Sequence, residues 1–281
     1  MLRTDLNNNI KMPVLGIGTY ILKPKEAENS VEFALKDGYE LVDTANAYEN
    51  EIAVGKAIAN SDISREELFV STKLWPTVYD DPKAIDNTLE RLGLDYIDLL
   101  FLHQPTKNWR EGYEQLEDAY KTGKIKAIGV SNFEGKYIEE LLDEFDTVPQ
   151  VVQVEAHPYF TQEDLRKILD EHNIKLMAWY PLGHGDNSLI NEAIFTRLAK
   201  KYNKTNSQII LRWHVQMGFI VIPGSKNKEH ISENINIFDF ELTDEEMAEI
   251  AELNKNKRYY IRTEEALENF EHWNPDFNKE E

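Results

Sequence analysis

Apolar runs of strand length alternate with amphipathic segments of helical length along most of this chain. The strand candidates are VLGIGTY, YELVDTA, LFVSTK, YIDLLFLH, KAIGVS, VVQVEA, IKLMAWY and FIVIPGS. Nearly every position in them is apolar, as in parallel strands buried on both faces. Between them lie helical patterns. One opens at Pro24, a residue suited to a first helical turn, and ends near Gly38. Others run from Pro82 to Gly93 and from Trp109 to Gly123. Glycine at those ends suits the left-handed position just past a helix. About eight such strand–helix units predict an α/β fold of the (β/α)8 barrel type rather than a doubly wound sheet.

The remaining segments decorate that barrel. RTDL and KMPVL flank Asn7, Asn8 and Asn9 and read as a hairpin capping the bottom. PLGHGDN, from Pro181 to Asn187, is a glycine-rich loop after the seventh strand, and helical material follows to Gly218. After the eighth strand, GSKNKEHISEN leads into a short helix, and Thr243 with Glu246 forms a capping-box pattern before another. The tail RYYIRTEEALENFEHWNPDFNKEE is expected to drape over the barrel mouth, its last few residues disordered. No linker or shift in composition divides the chain, so residues 1–281 read as a single domain.

Charge narrows the function. The formal net charge is -20, from 51 acidic against 31 basic residues. That opposes binding to nucleic-acid phosphates and to anionic membranes. With no cysteine, disulfides and thiolate metal sites are excluded. The seven histidines form no HExxH pair, and no metal is expected. The start, MLRTDLNNNIKMPVL, lacks the features of a signal peptide, and no apolar stretch approaches the roughly 20 residues of a membrane span. A cytoplasmic protein is expected. Gly16–Gly18 lacks the third glycine of a dinucleotide fingerprint, and GFIVIPGSK has the wrong spacing for a P-loop.

Polar residues at the strand ends point to chemistry. Asp43 and Tyr48 lie in LVDTANAY, Lys73 ends FVSTK and His103 ends LLFLH. A (β/α)8 barrel keeps its active site at that edge. A phenol, with a reference pKa of about 10, is a poor acid at neutral pH. A lysine cation beside it would lower that value, and a carboxylate would hold the lysine charged and in place. A histidine can orient a substrate oxygen beside the phenol. Taken singly, each residue has an ordinary reading. Tyr48 could pack on the sheet, Lys73 could be ion-paired, and His103 and Trp179 could fill core. Asp43, Ser131 and Asn132 could cap turns. Their joint occurrence on successive strand ends favours the catalytic reading.

LGIGTY, DTANAYENE, TKLW, LLFLHQP, GVSNF, QVEAHPY and IPGSKNKEHISEN occur in that order, and with them the chain resembles an aldo-keto reductase over nearly its whole length. It is most similar to the bacterial branch described as 2,5-diketo-D-gluconate reductase-like. The resemblance implies NAD(P)H-dependent reduction of aldehydes or ketones, with Tyr48 as general acid, Lys73 lowering its pKa, Asp43 paired with Lys73, and His103 positioning the carbonyl. It implies that Ser131, Asn132 and Gln153 hold the carboxamide of the nicotinamide and that Trp179 stacks on its ring. Leu182, Gly183 and Gly185 would line the pyrophosphate, and Glu233 and Asn234 would meet the adenine. Tyr20, Trp75 and Trp109 would line an aromatic mouth. Gln104, where some relatives carry tryptophan, would favour small polar carbonyls or keto sugars. A monomer is the family default.

Two positions depart from the family pattern. Relatives that prefer NADPH usually carry lysine where this chain has Gly224 and arginine where it has His230, both clamping the 2′-phosphate. Ser225 remains, and Lys226 and Lys228 are near enough in sequence to compensate partly. The expectation is a relaxed choice between NADPH and NADH. Tyr180 also replaces a Ser or Gly common in relatives, with no effect assigned to it. A regulatory barrel that binds the nucleotide and turns over slowly is the competing reading, and the intact set of Asp43, Tyr48, Lys73 and His103 argues for catalysis.

Overall fold

The computed structural model describes residues 1–279. An antiparallel hairpin comes first, β1 (Arg3–Asp5) against β2 (Lys11–Pro13), with Thr4 opposite Met12. Asn9 turns the chain at φ 65°, in the left-handed region that asparagine tolerates better than most residues. Eight parallel strands follow: β3 (Ile17–Gly18), β4 (Leu41–Asp43), β5 (Phe69–Leu74), β6 (Leu99–Leu102), β7 (Ile128–Ser131), β8 (Val151–Glu155), β9 (Lys175–Trp179) and β10 (Ile220–Val221). Each pairs with the next in sequence. The sheet closes on itself through parallel bridges from Leu15 to Val221 and from Gly18 to Gly224. At this seam the Gly16 N–H donates to the Val221 carbonyl at 2.9 Å. The alternation therefore does encode a (β/α)8 barrel. The apolar runs overstate the strands at the seam, where VLGIGTY and FIVIPGS each pair as two-residue strands flanked by isolated bridges.

Two apolar layers hold the barrel. Inside it, Leu41, Phe69, Leu99, Phe101, Val151, Met177 and Ile220 pack together, and Leu6 and Met12 of the hairpin region join them from below. Gly129 of β7 makes this packing possible, because a Cβ there would lie 2.3 Å from the Phe101 ring. Outside, the helices cover the strands with a second, larger cluster. Helix Pro24–Lys36 begins at its proline, and helices Ala84–Leu92 and Trp109–Thr122 stop at Gly93 (φ 64°) and Gly123 (φ 78°). Thr243 and Glu246 exchange hydrogen bonds of 2.9 and 3.3 Å at the start of helix Asp244–Ala251.

The tail contains a helix that the sequence reading left out, Glu264–His272, capped by Thr263, whose Oγ1 accepts the Ala266 N–H at 3.1 Å. It lies across the strand ends, where the Trp75 indole donates to the Trp273 carbonyl at 2.9 Å. Beyond it the Asp276 N–H and the Lys279 ammonium reach Glu49 at 3.0 and 2.7 Å. The disorder expected at the very end falls on positions that include 280–281, outside the described residues. Among the described residues no helix is long and apolar enough to cross a membrane, and no group of three or more His, Asp or Glu side chains is placed to hold a metal.

Candidate active site

The centre of the mouth is a buried ion pair. Asp43 is the last residue of β4, and Lys73 lies near the end of β5 with no solvent exposure. Their charged groups meet at 2.7 Å. Two unpaired charges here would be very costly. The neighbours satisfy both. Lys73 Nζ also donates to the Thr44 carbonyl at 2.8 Å, while Asp43 Oδ1 accepts from Ser71 Oγ at 2.8 Å and from Gln153 Nε2 at 3.3 Å. Burial pulls the Lys73 pKa down, and the Asp43 charge and hydrogen bond oppose it.

Tyr48 sits on the short turn Asn46–Tyr48, and the left-handed Glu49 (φ 57°) ends that turn. Lys73 Nζ is 4.9 Å from the phenol ring centre. The rings of Tyr20 and His103 lie 5.1 and 5.6 Å away. The lowering of the Tyr48 pKa expected from Lys73 is opposed by the phenol's other surroundings. Burial pushes the phenol well above its ordinary value, and the Asp43 carboxylate adds to the rise. The lysine charge is compensated by Asp43 at close range, so desolvation wins. His103 is 8% exposed, its Nδ1 lacks a hydrogen-bond partner among the described residues, and its ring stands edge-on to Trp75 at 5.0 Å. Burial, helped by the Lys73 charge, holds it well below the usual imidazole pKa, so it is neutral at pH 7.

A polar group borders this centre on the β7–β9 side. Asn132, in the left-handed region at φ 66°, donates through Nδ2 to the His103 carbonyl and to Ser131 Oγ, each at 3.1 Å. Its Oδ1 accepts from the Trp179 indole at 3.2 Å. Ser131, Asn132, Gln153 and Trp179 are thus brought together at one edge. The loop beyond β9 carries Leu182 and a tight turn at Gly183–Gly185, with φ 61° at Gly183 and 78° at Gly185. On the β10 side, Ser225 Oγ accepts the Asn227 N–H at 3.0 Å. Glu233 and Asn234 lie on helix Lys228–Ile235, Asn234 buried and His230 exposed. Lys226 is paired with Glu26 at 3.0 Å, and Lys228 lies 5.3 Å over the Phe33 ring.

Among the residues expected at the mouth, Tyr20 is half exposed, and its ring centre is 6.3 Å from that of Tyr180. Trp75 adjoins His103 but is only 4% exposed, because Phe270 and Trp273 of the tail pack on it at 5.1 and 4.9 Å. Trp109 is not at the mouth. It is 1% exposed and packs against Phe133 and Phe145 in the helical layer. Gln104 is buried, its backbone tied to the Tyr79 hydroxyl at 2.9 Å and its Oε1 without a partner among the described residues.

The aldo/keto reductase family model matches residues 14–255. The chain belongs to that family. It is 43% identical to glyoxal reductase of Bacillus subtilis over 267 residues, 93% of this chain and 96% of that one. It superposes on an aldo-keto reductase from a Medee basin deep-sea metagenome library with a TM-score of 0.89 at 39% identity, covering 93% and 98% of the two chains. It also superposes on the Bombyx mori aldo-keto reductase solved with NADP, at TM-score 0.86 and 36% identity, over 92% and 94%. This aldo/keto reductase is a nicotinamide-dependent oxidoreductase that reduces carbonyl groups to alcohols.

Sequence reasoning left several residues of the reductase's mouth without a role. Glu155 lies inside the quoted motif QVEAHPY, and its position two residues after Gln153, on the same strand face, was the available signal. Arg258, Tyr260 and Arg262 of the tail line a cavity of about 180 Å³ with Asn132, Glu134 and Trp179. No local pattern announces that these three residues return to the mouth.

Proposed function

We propose that this aldo/keto reductase uses Tyr48 to protonate the carbonyl oxygen of small polar aldehydes and ketones, and accepts both NADPH and NADH. The Asp43–Lys73 pair, closed at 2.7 Å with Lys73 Nζ 4.9 Å from the centre of the phenol ring, is the observation that carries this reading. A nicotinamide bound at this edge would supply the hydride. The residues present fit such a group. The Ser131 hydroxyl accepts from Asn132 and still has its own proton to give. Gln153 spends its Nε2 on Asp43 and Met177, and its carbonyl oxygen stays free to accept from an amide.

Tyr48, kept protonated by its surroundings, is the proton source, and His103, kept neutral, donates one hydrogen bond to the same oxygen. The phenolate left after transfer would be stabilised by the Lys73 cation close by. Such general-acid assistance contributes roughly 10²–10⁴-fold. A relative named glyoxal reductase supports a small carbonyl as substrate. Relaxed cofactor choice is supported by Gly224, by the exposed His230 and by the engagement of Lys226 with Glu26. A phosphate clamp built on Lys226 would have to compete with that carboxylate.

The test is Tyr48→Phe, which keeps the ring and removes the proton. Reduction of a reactive aromatic aldehyde should fall at least about a hundredfold, while NADPH affinity stays within about twofold. Activity within about tenfold of wild type would assign the proton to another group.

A further inference from the structure

Glu155 ends β8 two residues beyond Gln153, so both side chains leave the strand on one face. It has no solvent exposure and takes no part in the Asp43–Lys73 pair. Its carboxylate instead accepts the backbone N–H groups of Tyr259 at 2.6 Å and Tyr260 at 3.2 Å, and His157 Nε2 lies 3.0 Å from its Oε1. A buried carboxylate needs such donors, and here the tail supplies two of them.

Around that anchor, residues 258–262 reach two loops on either side of β8. Arg258 pairs with Glu134, and Arg262 donates to the Asn132 carbonyl, both in the segment after β7. The Tyr259 hydroxyl donates to Asp186 in the loop after β9 at 2.6 Å, and its ring lies so near Gly183 that a Cβ there would come within 2.9 Å of it. Those loops carry Asn132, Leu182, Gly183 and Gly185, four of the positions proposed for the cofactor.

We infer that Glu155 is a positioning residue for the cofactor. By fixing residues 258–262 it holds the loops after β7 and β9 at the spacing a dinucleotide requires. The inference rests on the cofactor placement proposed above. It makes the tail and the nucleotide thermodynamically coupled, so each stabilises the other by the same factor.

Trypsin and NADPH titration on the full chain test this, since Arg258 and Arg262 are themselves cleavage sites. NADPH should slow cleavage after both arginines in the wild type. Glu155→Gln keeps the size and loses one acceptor. It should weaken NADPH binding about tenfold and speed cleavage by a similar factor, a coupling of ordinary size. Its kcat at saturating NADPH should stay within about threefold, a split between affinity and turnover that a general loss of stability would not give. Faster cleavage with NADPH affinity within about twofold of wild type would overturn the inference, and so would weaker affinity with unchanged cleavage. Should Glu155→Gln fail to fold, Tyr259→Phe removes only the bond to Asp186 and should show the same paired changes at about threefold. Wild-type protein that binds no nicotinamide nucleotide would instead overturn the functional reading itself.

Discussion

Tyr48 and His103 are displaced in opposite directions by one cause. Burial at the mouth of the barrel disfavours tyrosinate and imidazolium alike, so both side chains are neutral and each keeps a proton to offer. Tyr48 loses its proton only as pH rises through a pKa above its ordinary 10.0, and His103 gains one only as pH falls through a pKa below its ordinary 6.5. The rate of carbonyl reduction, read as kcat/KM against pH, should therefore be flat between about pH 6.5 and 10. A decline that begins below about pH 9 would mean that Lys73 prevails over desolvation once ligands are bound. Lys226 gives a second residue-level prediction. Glu26→Gln releases it from its half-buried partner and should tighten NADPH about two- to fivefold with NADH unchanged, measured with both cofactors side by side. An unaltered NADPH-to-NADH ratio would show that Lys226 does not reach the 2′-phosphate.

At the scale of elements, the fit of one glycine to one ring sets a stability limit. Gly129→Ala would drive a methyl group into Phe101, and such overpacking costs about 1–3 kcal/mol. The melting temperature should fall by roughly 2–5 °C in a thermal scan, and an unchanged value would mean that β7 can shift to make room. The alternation of strands and helices was legible because the strands are largely apolar and each helix stop at Gly93 and Gly123 is a glycine with positive φ. Asp43, Tyr48, Lys73 and His103 were legible because they end or follow such strands. Trp109 misled because closeness in sequence to His103 says nothing of which side of a helix start faces the mouth. The tail helix was missed because it is short and its apolar residues, Leu267 and Phe270, are few. Its signal was Thr263 followed by Glu264 and Glu265, a cap with acids in the first turn. Glu155 needed the fold itself, since its partners are backbone groups about a hundred residues away.

The whole molecule carries a net charge of -20, and a nicotinamide dinucleotide is itself an anion. Association should be slowed by mutual repulsion that salt screens. Raising sodium chloride from about 20 to 200 mM should then increase the NADPH association rate constant, followed by stopped-flow fluorescence. A rate that falls instead would mean that the local cations Lys226, Lys228, Arg258 and Arg262 outweigh the global field. The seam between β3 and β10 has a consequence of a different kind. Leu15 and Val221, which meet there, are far apart in sequence, so Leu15 is made long before its partner. While the chain is still emerging from the ribosome, Leu6 and Met12 have no complete cylinder to close, because the last wall strand has not yet been translated. The nascent protein must hold its most apolar strands half-covered until residues beyond Gly224 clear the exit tunnel. Long-range closure of this sort is slow and leaves sticky surface open while it waits. A stalled chain whose β10 is still inside the tunnel should therefore recruit chaperones, and one long enough for Gly224 to have emerged should begin to release them.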